Sequence, residues 1–235
     1  MSPAFTADIT RNALRQCNAP GCALPRDHIN AWCRRHLDWA RRLGHPSAKP
    51  YRASVWKKER QEVAAVFDAH PDHPGLLQVL GWLGDWMAKA AQSDQAFRGA
   101  REIARVSRHG VTPLQVLTEV AAFTVWEQAN QHAFPDQRSR DFGMSRAVFG
   151  MAPRMRRACT PKGSKFGTWG QPTTGPRSYA VRPLPSGLAF VGKHLREVLA
   201  PLLANITQAV ELQRQIKKDP QAALRLPFHA TNPLA

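Results

Sequence analysis

Three of the chain's four cysteines, Cys17, Cys22 and Cys33, fall within seventeen residues, and His36 stands three places after the last of them. The stretches Cys17-Asn-Ala-Pro-Gly-Cys22 and Trp32-Cys33-Arg-Arg-His36 make two ligand pairs, Cys-x4-Cys and Cys-x2-His, with ten residues between them. Thiolate and imidazole suit a tetrahedral zinc ion, and paired short spacings bring two knuckles to one metal. Cys17, Cys22, Cys33 and His36 are the expected ligands, with His28 in reserve. Four protein ligands would close the coordination sphere, so the Zn2+ expected here is structural, not catalytic. Free cysteines also bury readily as small apolar groups. That alternative poorly explains pairing at ligand spacing within a Pro/Gly-rich stretch.

A short helix over Trp32–Leu43 places Cys33 and His36 one turn apart on one face. Gly44 is its expected cap, with Pro46 beyond it. Leu14, Leu24, Ile29 and Leu37 are the candidates for a miniature apolar core, too small to fold without metal. Residues 47–53 read as a connector, so residues 1–53 form a zinc-binding basic module with its connector, and 54–235 a helical domain.

In that second unit, helical spacing starts at Ser54 and runs through Val55, Glu59, Val63, Val66 and Phe67. His70, Asp72 and His73 lie together as metal-type ligands, but Pro71 and Pro74 favour an interhelix turn. Further helices are expected over Leu76–Ala91, Asp94–Ser107 and from Thr112 to Asn130. The last opens with a capping-box pattern, Thr112-Pro113-Leu114-Gln115. A short helix over Ser139–Gly150 precedes a Gly-, Pro- and Arg-rich stretch, with strands expected at Arg154–Cys159 and Ser178–Arg182. The long C-terminal helix is expected over Ser186–Lys218. The fold class is therefore mainly α: an N-terminal zinc knuckle, a helical core, a winged-helix-like β-hairpin near 154–182, and the long C-terminal helix.

Two uses stay open for the C-terminal helix. Val191, Leu195, Val198, Leu202, Asn205, Ala209, Leu212 and Ile216 alternate four and three apart, as in a coiled-coil seam with one asparagine. Leu199, Leu203, Ile206 and Val210 widen the apolar face, which favours packing inside the chain over a homodimer or a protein partner.

Charge points to the partner. The 235 residues hold 33 Lys and Arg against 17 Asp and Glu, a net charge of +16 that attracts polyanions. Residues 1–60 carry twelve basic and four acidic side chains, 61–137 five and nine, and 138–182 ten and one. Two basic regions thus flank a mildly acidic stretch, which suits two contact surfaces on a scaffold better than charge spread for solubility. The candidate nucleic-acid contacts are Arg34, Arg35, Arg41 and Arg42 beside the zinc ligands, with Arg154, Arg156, Arg157, Lys162, Lys165, Arg177 and Arg182 in the second region. There Phe166, Trp169 and Tyr179 stand among the cations, a mixture that can follow phosphates and stack on bases. With a helix-turn-helix ahead of it, Ser139–Gly150 would be a recognition helix and the hairpin its wing. A solvated loop is the plainer alternative.

The stretch from Cys17 through Trp39-Ala-Arg-Arg-Leu-Gly-His-Pro46 resembles a small zinc module of phage and mobile-element proteins, often attached to HNH endonucleases or DNA-binding domains. Its pattern is Cys-x4-Cys, a basic linker, Cys-x2-His, an arginine-rich helix, then Gly-Asp-Pro. Here His45 replaces the aspartate, at a position that is not a ligand. The resemblance covers residues 17–46 only and implies a structural zinc in a nucleic-acid context.

Other classes fit less well. No run approaches the ~18–20 apolar residues of a membrane span, and the first residues lack the basic flank and apolar core of a secretory signal. Reduced thiols and a cytoplasmic setting are expected. No HNH-type His/Asn set, phosphate loop or GxGxxG is present, and Cys159 has no identifiable partner base. The expected function is non-enzymatic binding of nucleic acid, DNA first, in transcription, replication or recombination control of a phage, plasmid or mobile element. The competing class is an adaptor in a larger nucleoprotein complex, with a nuclease behind both.

Overall fold

A computed structural model describes residues 3–48, 50–93, 95–153, 156–158, 178–180 and 183–219. The chain is mainly helical. In order it forms α1 (Pro3–Ala13), α2 (Arg34–Leu43), α3 (Lys57–Ala69), α4 (Pro74–Gln92), α5 (Ala100–Arg108), α6 (Pro113–Ala129), α7 (Gln137–Phe149), β1 (Arg156–Ala158), β2 (Ser178–Ala180) and α8 (Pro185–Lys218). The two short strands pair antiparallel, Arg157 opposite Tyr179. Residues 159–177, which hold the expected glycine-rich loop, lie outside the described residues, as does Cys159.

The helical body is built around α6. Thr112 accepts from the Gln115 amide while the Gln115 side chain accepts from the Thr112 amide, the reciprocal capping the sequence predicts, with Pro113 in the first turn. Val116, Leu117, Val120, Phe123 and Val125 point to different sides of α6 and are all buried. A helix apolar on every side belongs in the centre of a fold. Helix α3 packs on α6, α4 on α5, and α7 on α8, while α8 also reaches α3, α4 and α6.

Helix α8 uses its apolar side within the chain. Val191, Leu195, Leu199, Leu203, Ile206 and Val210 are all buried. Val198 and Pro201 stay exposed, so the proline ring stands on the solvent side. Where α7 crosses α8, backbone meets backbone. A Cβ on Gly192 would come within 1.8 Å of the Asp141 carbonyl oxygen, so this crossing admits only glycine.

Four acidic residues from the mildly acidic stretch turn inward and meet arginines. Glu119 accepts from Arg60 and from the Trp56 indole; Glu127 accepts both Nη atoms of Arg196, at 3.0 and 3.2 Å. Glu62 binds Arg214, and Glu102 binds Arg105. These carboxylates are all buried. Burial pushes the Glu127 carboxyl above its ordinary range, against the pull of Arg196 and Arg140.

Several expectations need correction. Helix α7 is not a recognition helix: Ser139, Asp141, Phe142, Met144, Ser145, Ala147, Val148 and Phe149 are buried, leaving no face free for a groove. Trp56, not Val55, enters the core, because a short 3-10 turn over Ala53–Trp56 precedes α3 and rotates Val55 outward. The helix expected from Asp94 begins at Ala100, after a turn closed by Gly99 in the left-handed region. Helix α1 over Pro3–Ala13 adds an element ahead of the expected ones. Pro74 is the first residue of α4 with His73 as its N-cap, so residues 70–73 form the interhelix turn.

Candidate metal centre and arginine face

The knuckle is built by local backbone bonds. The Cys17 amide donates to Leu24, the Cys22 amide to Ala19, and Arg26 to Arg15, folding the Cys-x4-Cys segment back on itself. Asn18 donates to Ala31 and Asp27 pairs with Trp32, which brings the second ligand pair alongside. The Asn12 side chain ties α1 to this loop through the carbonyls of His28 and Asn30. Cys33 then becomes the N-cap of α2, and His36 faces inward from its first turn.

The result is a compact ligand set. One donor atom from each of Cys17, Cys22, Cys33 and His36 lies within 4.8 Å of every other. Cys17 Sγ stands 3.2 Å from His36 Nδ1, Cys33 Sγ 3.3 Å from the same nitrogen, and Cys22 Sγ 3.9 Å from Cys33 Sγ. Ordinary metal–ligand lengths around a tetrahedral zinc put sulfurs ~3.8 Å apart and sulfur and nitrogen ~3.6 Å apart. The residues therefore fit a single four-coordinate ion. His28 is outside the group; it sits on the far loop beside Asp27.

The surroundings act on the Cys17 and Cys22 thiols in opposite directions. Burial alone would raise the Cys17 thiol, but the Ala19 and Cys33 amides and the His36 ring outweigh it and hold its pKa at about 6. The Leu24 amide lowers Cys22, yet burial and the neighbouring sulfurs of Cys17 and Cys33 push it up overall. A lowered Cys17 thiol beside a raised Cys22 thiol is a conflict that a shared cation would relieve. The expected apolar mini-core does not form. Leu14, Leu24 and Ile29 are 85%, 49% and 64% exposed, and the interior consists of Cys17, Ala19 and Cys33 with Cys22 and Trp32 against them. The ligand atoms take the place of a core.

Helix α2 carries this centre onto the body. Gly44 ends it in the left-handed conformation, and a Cβ there would meet the Phe142 ring and the Arg138 carbonyl at 3.0 Å. Leu43 is buried, and Arg146 of α7 donates to the Arg42 carbonyl at 3.1 Å. Arg34, Arg35, Arg41 and Arg42 remain exposed. Arg35 lies 4.6 Å over the Trp39 ring, which itself meets His36 edge-on at 5.0 Å. Arg42 is held by Asp38 at 2.8 Å.

Of the second basic region, Arg154, Lys162, Lys165, Arg177 and Arg182 lie outside the described residues. Arg156 and Arg157 are described as strand backbone only. Two positions escaped the sequence reading: Asn12, which anchors the knuckle, and Arg146, which belongs to the basic region by sequence but joins two elements. No protein-family model, curated protein or solved structure matches the chain.

Proposed function

We propose that this chain is a non-enzymatic nucleic-acid-binding protein, with DNA as the favoured polymer, whose first module is stapled by a structural zinc ion on Cys17, Cys22, Cys33 and His36. The supporting observation is the attachment of α2 to that ligand set. Two ligands, Cys33 and His36, cap and open the helix, and four exposed arginines project from it. The metal would contribute folding free energy and no chemistry on a substrate. Guanidinium groups suit phosphate forks, and a rigid helix presents them without reordering on binding. Net charge of +16 supports the same reading through long-range attraction.

Control of transcription, replication or recombination in a phage, plasmid or mobile element is the setting that the resemblance of residues 17–46 suggests. The pair β1–β2 would supply a second backbone contact through the basic segment around it. Among the described residues no helix is long and apolar enough to cross a membrane.

The test is binding of the zinc-loaded chain to labelled duplex DNA, single-stranded DNA and RNA across a salt series, beside an Arg34→Ala/Arg35→Ala variant. Salt-sensitive binding is expected, strongest for DNA, with a log–log slope falling by about 1 for each phosphate contact removed. Failure of all three polymers at low salt would refute the reading.

A further inference from the structure

A cavity of about 670 Å³ opens where the zinc module meets the body. Its charged lining is one-sided: Arg41, Arg42, Arg52, Arg105 and Arg146 against the single carboxylate Glu102. Some of these cations are already engaged. Arg105 is buried, bonded to Glu102, and donates to the Phe149, Ala152 and Pro153 carbonyls at the end of α7. Arg42 holds Asp38 and Arg146 holds the Arg42 carbonyl. Glu102 is thus neutralised by Arg105, and it cannot also serve the mouth.

Arg41 and Arg52 differ from these. Both are exposed and neither makes an ion pair among the described residues, although they converge on one cavity from α2 and from the connector. Two like charges held toward one space repel unless an anion joins them. The same cavity is also lined by apolar Phe149, Leu184 and Leu188. The first turn of α8 lies in that lining too, with no side-chain cap, so its positive dipole end adds to the same field. The volume lies within the range of small-molecule sites. A flat apolar group with an anionic end matches this lining; a lone inorganic anion would leave its apolar part unused.

We propose that this cavity binds a nucleoside phosphate monoester, its phosphate held by Arg41 and Arg52 and its nucleoside against the apolar residues. The same chemistry comes from a free nucleotide or from the phosphorylated end of a strand. The strand form builds on the proposed function; the free nucleotide does not.

Adenosine 5′-monophosphate titrated into the full zinc-loaded chain, with adenosine and inorganic phosphate beside it, reads this directly by calorimetry. Saturable binding is expected, with either fragment weaker. Affinity should fall about a hundredfold in Arg41→Gln/Arg52→Gln, since each charge-assisted phosphate bond is worth about tenfold. Ala53→Trp narrows the cavity without altering charge and should also weaken binding, which a general electrostatic field would not explain. Unchanged melting temperatures would establish that both variants fold. Competition by a 5′-phosphorylated single strand, and not by its 5′-hydroxyl counterpart, would identify the strand end as ligand. Competition by neither would identify the free nucleotide. No binding of the nucleotide at low salt, or binding unaffected by both variants, would overturn the proposal. Duplex DNA bound without the nucleotide would remove the cavity and keep the proposed function; the converse would do the reverse.

Discussion

The module around Cys17–Gly44 and the helical body from Lys57 to Lys218 are held together by different physics. The body has a continuous apolar core running from Trp56 to Val210, with carboxylates tied to arginines at its margins. The module leaves Leu24 and Ile29 in solvent, and its interior is made chiefly of the cysteines of the candidate metal site. A small unit without a core needs a staple, and here the staple would be a metal. The lesson is that chain continuity need not mean shared stability. One region should depend on an ion and the other should not.

The largest effect should come from the ligands. Cys33→Ala removes both a candidate ligand sulfur and the N-cap residue of α2. Metal content by mass spectrometry should fall from one equivalent to none, with the α2 amides losing protection and those of α6 unchanged. Loss of protection in both regions would erase the contrast.

Next comes the body's own weak point. Arg196→Met leaves Glu127 and Asp141 without their shared guanidinium, 3.0 and 3.1 Å away. Breaking such a pair costs ~3–5 kcal/mol. Urea unfolding should show that loss while metal affinity stays put. Gly192→Ala should cost about 3 kcal/mol by forcing α7 and α8 apart, since overpacking at a backbone crossing has little room to relax.

The smallest effect sharpens the boundary. Arg146→Met removes the bond to the Arg42 carbonyl, worth ~1 kcal/mol at a partly exposed site. Body stability should hardly move, while chelator-induced loss of α2 protection should begin at a lower chelator concentration.

What could be read from the sequence was what is local. The Cys17/Cys22 and Cys33/His36 spacings, the Thr112–Gln115 box, the Gly44 cap and the long α8 are settled by residues a few places apart, and the structure has each of them. The pairing of Glu62 with Arg214 spans 152 positions, and Glu127 with Arg196 spans 69, so no window of sequence could join them. The sequence marked that stretch as mildly acidic without marking Glu62, Glu102, Glu119 and Glu127 as the carboxylates that turn inward. Helix α7 misled for the same reason: a recognition helix is expected over Ser139–Gly150, but α8 and α6 cover it, and Arg138, Arg140 and Arg146 reach Phe142, Glu127 and Arg42. Leu14, Leu24 and Ile29 misled in the opposite direction, because apolar type alone does not create a core where ligands already fill the centre.

The most direct measurement is amide hydrogen exchange of the full chain before and after zinc removal, with metal stoichiometry determined on the same sample. One bound zinc is expected, with protection over Cys17–Leu43 that vanishes on chelation and protection in α3, α4, α6, α7 and α8 that persists. A chain that binds no zinc, or one whose protection falls everywhere or nowhere on chelation, would contradict that expectation.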